Sequence, residues 1–153
     1  MTLVVDDDEL LAKMIGELLR DEGYIVWTAG NGLDGYAGYH QHQAETVVTD
    51  IDMPELDGFS MVRCIRTINP SVKAIYTSGA PEQYRETLAT ETQKFGALVL
   101  RKPFSGRDLL KLIPPSIREN VNQELPRYDW SRKVSLSRTS NAAEAKLPIA
   151  PHD

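Results

Sequence analysis

Leu3-Val4-Val5-Asp6-Asp7-Asp8 and Thr46-Val47-Val48-Thr49-Asp50-Ile51-Asp52 follow one plan: a short β-like apolar run ends in a cluster of carboxylates. If the two runs are neighbouring parallel strands, their C-terminal ends bring several acids into one pocket. Like charges a few ångströms apart oppose each other's ionisation, so such a cluster is costly. A fold keeps it where a hard divalent cation sits, since Mg²⁺ takes carboxylate oxygens in octahedral geometry and holds phosphate as well. The alternative is two acidic loop starts that never meet. The rest of the chain decides between them.

Apolar runs alternate with longer amphipathic ones. Leu3–Val5, Ile25–Thr28, Thr46–Thr49, Ala74–Thr77 and Leu98–Leu100 read as buried parallel strands. Between the first two, Leu10, Leu11, Met14, Ile15, Leu18 and Leu19 recur at helical spacing, with Asp8 as N-cap and Gly23 as the stop. Gly32–Gln41, Gly58–Ile68 and Glu82–Lys94 are the next helices, and Pro70 closes the third. Ser105-Gly-Arg-Asp108 resembles a capping box and opens a fifth helix carrying Leu109, Leu110, Leu112 and Ile113, which Pro114-Pro115 stops. This is a doubly wound (βα)₅ α/β chain, a flavodoxin-like three-layer sandwich with sheet order 2-1-3-4-5. The first strand begins almost at Met1, so it is short or its true start lies upstream.

The 153 residues suit one domain of 1–113 followed by a tail of 114–153. The tail is rich in Pro, Ser, Asn and Arg without regular apolar spacing, and is expected to be mostly disordered. It has neither zinc ligands nor a helix-turn-helix pattern to serve as a DNA-binding output. A net charge of −5 argues against direct nucleic-acid or anionic-membrane binding. No apolar run reaches the ~18 residues of a membrane span, and no secretion signal opens the chain. A cytoplasmic protein is expected. Cys64, the single cysteine, falls in an apolar helical pattern and reads as a small core residue.

Ligands in such a sheet bind beyond the carboxyl ends of the strands, where strand order reverses. With the first and third strands adjacent, Asp6, Asp7 and Asp50 converge there. Ser78 ends the fourth strand and Lys102 follows the fifth. Three acids, a hydroxyl and an amine thus share one edge. The chemistry they suit is phosphoryl transfer, in which in-line positioning and neutralised oxygens matter more than a strong nucleophile. Lys102 can pair with one phosphoryl oxygen as a point charge on a long stem, and Ser78 can donate to another. Thr77 competes with Ser78; Ser78 is preferred because strand alternation puts only one of them at the site.

Over residues 1 to about 113 the chain resembles the CheY-like receiver domain of two-component response regulators. The motifs that carry the likeness are Val-Val-Asp6-Asp7-Asp8-Glu, Thr-Asp50-Ile-Asp-Met-Pro54-Glu-Leu-Asp57-Gly58, Thr-Ser78-Gly and Lys102-Pro103-Phe104. The resemblance implies that Asp50 accepts a phosphoryl group from a phosphohistidine on a sensor histidine kinase or histidine phosphotransfer protein. It implies Mg²⁺, or Mn²⁺ in its place, held directly by Asp7 and Asp50, through water by Asp6, and by the backbone carbonyl of Asp52. It also implies a cis peptide bond before Pro103. A single-domain regulator acting by protein–protein contact follows, monomeric or weakly dimeric when phosphorylated, with a phosphorelay intermediate or phosphate sink as the alternative. Such a protein is no enzyme beyond catalysing its own phosphotransfer and slow autodephosphorylation.

Two positions depart from or refine the pattern. Val99 stands where many receivers carry a switch Tyr or Phe, so output would rest on the loop after the fourth strand and on backbone shifts. Asp52 adds a carboxylate at the pocket mouth, where it would tune the phosphoryl lifetime by biasing the attacking water.

Other readings are weaker. Gly30-Asn-Gly32-Leu-Asp-Gly35 matches a dinucleotide fingerprint, but on the second strand–helix turn; the first carries three aspartates that would repel a pyrophosphate. Haloacid-dehalogenase-type phosphatases also cluster aspartates with a lysine, yet their nucleophile usually ends the first strand. A pseudo-receiver that never takes phosphate usually lacks the acids or the lysine. His40, His42 and His152 form no ligand set. Trp27, Met14, Met53 and Met61 read as packing residues, as does the apolar face Phe59, Met61, Val62, Ile65 and Ile68 of the third helix.

Overall fold

The computed structural model describes residues 1–115. Five strands alternate with five α-helices: β1 Thr2–Val5, α1 Glu9–Asp21, β2 Val26–Ala29, α2 Gly32–His42, β3 Thr46–Asp50, α3 Gly58–Ile68, β4 Lys73–Ser78, α4 Arg85–Phe95, β5 Leu98–Arg101 and α5 Gly106–Leu110. All strand pairs are parallel, in the order β2-β1-β3-β4-β5. β1 therefore lies beside β3, with Val5 opposite Thr49. The acidic runs that follow these two strands leave the sheet side by side.

Strand alternation divides the core into two layers. Leu3, Val5, Val47, Ala74 and Tyr76 face one way and meet Tyr39, Met61, Val62, Ile65 and Leu88 from α2, α3 and α4. Val4, Val48 and Ile75 face the other way and meet Ile15 and Leu19 of α1 and Leu109 of α5. The central strands β1 and β3 are buried at every residue, as expected of a sheet covered on both faces.

The helices start where side chains can satisfy the free N–H groups of a first turn. The Asp8, Asn31 and Asp57 side chains accept from the amides of Leu11, Asp34 and Ser60 respectively. Ser105 and Asp108 form the expected reciprocal box.

Several expectations need correction. β5 is a half-exposed edge strand, because only β4 pairs with it among the described residues. Cys64 is exposed: it lies on the outer face of α3, while Arg66 takes a buried place beside Ile65. Met14 and Ile68 also face outward, at the rims of their apolar stripes. A 3₁₀ turn, Pro81–Tyr84, precedes α4, which accordingly begins later than expected. α5 ends at Leu110, before Leu112 and Ile113; a residue preceding proline is pushed out of the α region, and Ile113 precedes Pro114. The chain beyond α5 is still tied back, with the Tyr24 hydroxyl donating to the Pro114 carbonyl at 2.9 Å. The expected tail lies, apart from Pro114 and Pro115, outside the described residues.

Two of the three glycines of the fingerprint-like stretch have a packing reason. A Cβ on Gly32 would fall 2.1 Å from the Leu56 carbonyl oxygen, and one on Gly35 would fall 2.7 Å from Met61 Sδ. Trp27 is half-exposed, its ring 4.5 Å from that of His42 and its edge over Gly38.

Candidate functional site

Asp6 and Asp7 leave the end of β1, Asp50 ends β3, and each offers a carboxylate oxygen within 4.8 Å of the others. Asp6 and Asp50 are buried and Asp7 is exposed, so the trio opens to solvent on one side. Asp8, the remaining acid of the first run, caps α1 with an Oδ1 to Leu11 N–H distance of 3.1 Å. Its charge is thereby turned to the helix N-terminus.

Lys102 follows β5 and lies across this trio. Its Nζ is 2.8 Å from Asp6 Oδ2 and 2.8 Å from Asp50 Oδ1. The Lys102 amide donates to the Ser78 carbonyl at 2.8 Å, which fixes the start of the side chain against the end of β4. The Lys102–Pro103 peptide is cis. Burial pushes the Asp50 carboxyl above its ordinary range and Asp6 and Asp7 push the same way, while Lys102 offsets part of the rise. Burial alone would lower the Lys102 ammonium, but hydrogen bonds to Asp50 and Asp6 hold it above the ordinary lysine value. One cation thus bridges two of the three acids. All the trio's donors are hard oxygens that suit Mg²⁺.

The loop from β3 to α3 folds tightly around Asp50. Ile51 donates to the Thr77 carbonyl at 3.1 Å, and Gly58 donates to Ile51 O at 3.0 Å. A Cβ on Gly58 would come 2.1 Å from the Asp50 carbonyl oxygen, so only glycine lets α3 start this close. Glu55 sits in the left-handed region at φ 67°, and Asp57 then caps α3.

Ser78 and Thr77 are both buried. Thr77 is in register with Asp50, and its Oγ1 has no hydrogen-bond partner among the described residues. Ser78 is the last residue of β4; its Oγ accepts from Ala80 N–H at 3.1 Å, which leaves its own proton free to donate. The Asp52 carboxylate is exposed and stands apart from the trio, accepting instead from the Tyr84 hydroxyl. Nothing in the sequence signals Tyr84: the contact joins two loops that become neighbours only when β3 and β4 pair.

A second polar cluster also escapes sequence reading. Arg66 of α3 pairs with Glu91 of α4, which accepts the Tyr76 hydroxyl of β4 at 2.8 Å. The Phe95 ring lies 3.8 Å from Arg66 Cζ. Burial, with the Glu91 bond, pushes the Tyr76 phenol far above its ordinary range.

A five-stranded doubly wound sheet, with an acid trio at its switch point and a lysine reaching it from β5, defines the CheY-like class of α/β domains. The chain belongs to the response regulator receiver domain family, whose model matches residues 2–114. It is 30% identical over 113 residues to the chemotaxis protein CheY of Bacillus subtilis (strain 168), covering 72% of this chain and 92% of CheY. It is 32% identical over 103 residues to the probable transcriptional regulatory protein TcrX of Mycobacterium tuberculosis; the match covers 67% of this chain but only 43% of TcrX. Among solved structures it is similar to the receiver domain of sensor histidine kinase PA1611 from Pseudomonas aeruginosa PAO1. The TM-score there is 0.62 at 26% identity, covering 72% of this chain and 90% of that one. That crystal structure carries a magnesium ion coordinated in the active site cleft. The chain is thus a receiver domain of two-component signalling. No helix of the described residues is long and apolar enough to cross a membrane.

Proposed function

We propose that this chain is a response regulator receiver of the cytoplasm, phosphorylated on Asp50 in a Mg²⁺-dependent reaction and signalling by contact with another protein. The observation that carries the proposal is the placement of Lys102 Nζ, 2.8 Å from both Asp50 and Asp6. A cation held on the acceptor oxygen is already where an incoming phosphoryl oxygen needs its charge met.

In the reaction an Asp50 oxygen bonds to the phosphorus of a phosphohistidine while the phosphorus–nitrogen bond breaks, and the imidazole keeps the electron pair and takes up a proton. The donor is a sensor histidine kinase or a histidine phosphotransfer protein. Asp6, Asp7, Asp50 and the Asp52 carbonyl would hold Mg²⁺, which supplies neutralisation of the phosphoryl oxygens and an in-line template. Lys102 moves from Asp50 to a phosphoryl oxygen without leaving Asp6. Ser78 turns its hydroxyl proton to another oxygen, drawing on the β4–α4 segment through Ala80. The added charge of about −1.5 to −2 then biases that segment, the route of output where Val99 replaces an aromatic switch.

The test is incubation of the full chain with acetyl phosphate and Mg²⁺, followed by intact mass measurement. A species about 80 Da heavier, the mass of one phosphoryl group, is expected in wild type and absent from Asp50→Asn. Loading that persists in Asp50→Asn, or none in wild type, overturns the proposal.

A further inference from the structure

The Tyr84–Asp52 contact has no part in holding a metal ion or in accepting a phosphoryl group, yet it joins the two loops that flank the acceptor. Asp52 lies two residues past Asp50, and its exposed carboxylate accepts from the Tyr84 hydroxyl. The phenol is aimed from behind. Its ring meets Phe59 edge-on at 5.7 Å, and Phe59 in turn packs 4.7 Å from the buried Tyr76. Ile51, Asp52, Met53, Asp57, Phe59 and Tyr84 line an open cleft of about 430 Å³ on this side of the loop. The Asp52 bond raises the Tyr84 phenol above its ordinary value, and the charges of Asp50 and Asp57 add to the rise.

We propose that Tyr84 is a positioning residue for loss of the phosphoryl group: its hydroxyl holds the Asp52 carboxylate against the β4–α4 segment and off the water that attacks phosphorus. The inference rests on the reading that Asp50 carries the phosphoryl group. In hydrolysis the water oxygen bonds to phosphorus and the bond from phosphorus to the Asp50 oxygen breaks. The electron pair returns to the carboxylate, and the water's proton leaves with inorganic phosphate. A free carboxylate beside the acceptor accepts a hydrogen bond from that water and aligns it. One already occupied by a phenol does so only in the fraction of time it is released.

The same segment carries the partner of Ser78. Ala80 donates to Ser78 Oγ at 3.1 Å, and Gln83 donates to the Ala80 carbonyl at 3.1 Å, one residue before Tyr84. Movement of Ser78 toward a phosphoryl group is therefore transmitted to the residue that restrains Asp52.

The experiment uses full-length wild type, Tyr84→Phe, Asp52→Asn and the double variant. Each is loaded with acetyl phosphate and Mg²⁺, freed of donor, and followed by loss of about 80 Da. Tyr84→Phe should hydrolyse about fivefold faster than wild type, the rate equivalent of one net hydrogen bond of about 1 kcal/mol. Asp52→Asn should be slower than wild type, and the double variant should match Asp52→Asn. A Tyr84→Phe rate equal to or below wild type overturns the inference, as does acceleration that persists in the double variant. Should no protein load, wild type included, it is the receiver reading that fails, and the inference with it. 3-Fluorotyrosine labelling gives a readout that packing alone would not move. The ¹⁹F resonance missing from Tyr84→Phe should shift in Asp52→Asn, and an unmoved resonance removes the latch whatever the hydrolysis rates.

Discussion

Lys102 and Asp57 are two charged side chains set by their neighbours in opposite ways. Lys102 is held by two carboxylates and is available for transfer to a third ligand; Asp57 is fully engaged where it is. The Asp57 carboxylate accepts from Ser60 N–H at 2.9 Å and from Ser60 Oγ at 2.7 Å. Burial alone would raise its carboxyl, but these bonds hold it below the ordinary carboxylate value. Asp57→Ala should therefore lower stability by about 1 kcal/mol, the usual loss of an N-cap, in urea unfolding at pH 7. The sign with pH follows from the depressed value. The cap's contribution is complete above the ordinary aspartate range and fades as pH falls through the lower folded value. Wild type and variant should differ fully at pH 7 and converge only in strong acid. A gap unchanged at pH 2 would show that the ionised cap is not its source. Asp8 was legible as a cap because a cap is a local device; the Asp57 cap was not read, and neither was Arg66, whose stacking on Phe95 and pairing with Glu91 join residues of two different helices.

At the scale of elements, α4 is the helix with the thinnest apolar hold, since Leu88 is its single buried residue. Much of its attachment is polar: Glu91 joins the Arg66 guanidinium and the Tyr76 hydroxyl, at a side-chain exposure of only 14%. Glu91→Ala would leave Arg66, whose Nε and Nη2 already lack partners among the described residues, with its charge uncompensated. It should destabilise the protein by about 2–3 kcal/mol in urea unfolding, somewhat under the usual loss for a fully buried pair. Tyr76→Phe removes one hydrogen bond and should cost only about 1 kcal/mol. Equal losses would mean that α4 is not held by the charge pair. The bounds of α3 were legible to the residue, with the apolar stripe from Gly58 onward and Pro70 just past its end agreeing. Those of α4 and α5 were not: a 3₁₀ turn takes Pro81–Tyr84 ahead of α4, and α5 stops at Leu110, short of Pro114.

For the whole molecule, the acid trio is a local cost that ligand binding relieves. With three carboxylates and one lysine, the folded protein should bind Mg²⁺ in preference to the unfolded chain, in which the acids are dispersed. At about 100 times its dissociation constant the ion should add about 2.7 kcal/mol, seen as a rise in Tm over the same protein in chelator. Asp7→Asn should lose most of that rise; identical melting with and without Mg²⁺ would show that the trio is not a cation site.

The sequence by itself determined that two apolar runs end in aspartates, that helices alternate with strands, and that Ser78 and Lys102 stand at strand ends. Each of these is a local pattern or a matter of residue chemistry. Whether the acids meet was decided by tertiary structure alone. β1 and β3 pair, and so Asp6, Asp7 and Asp50 converge within 4.8 Å while Lys102, from β5, reaches across to two of them. Asp8 left the first run by a local route, capping its own helix, whereas Asp52 left the second by a tertiary one, meeting Tyr84. Charges placed side by side in the chain share no task unless the fold aims them at the same point, and that aim comes from strand order, which no stretch of local sequence contains.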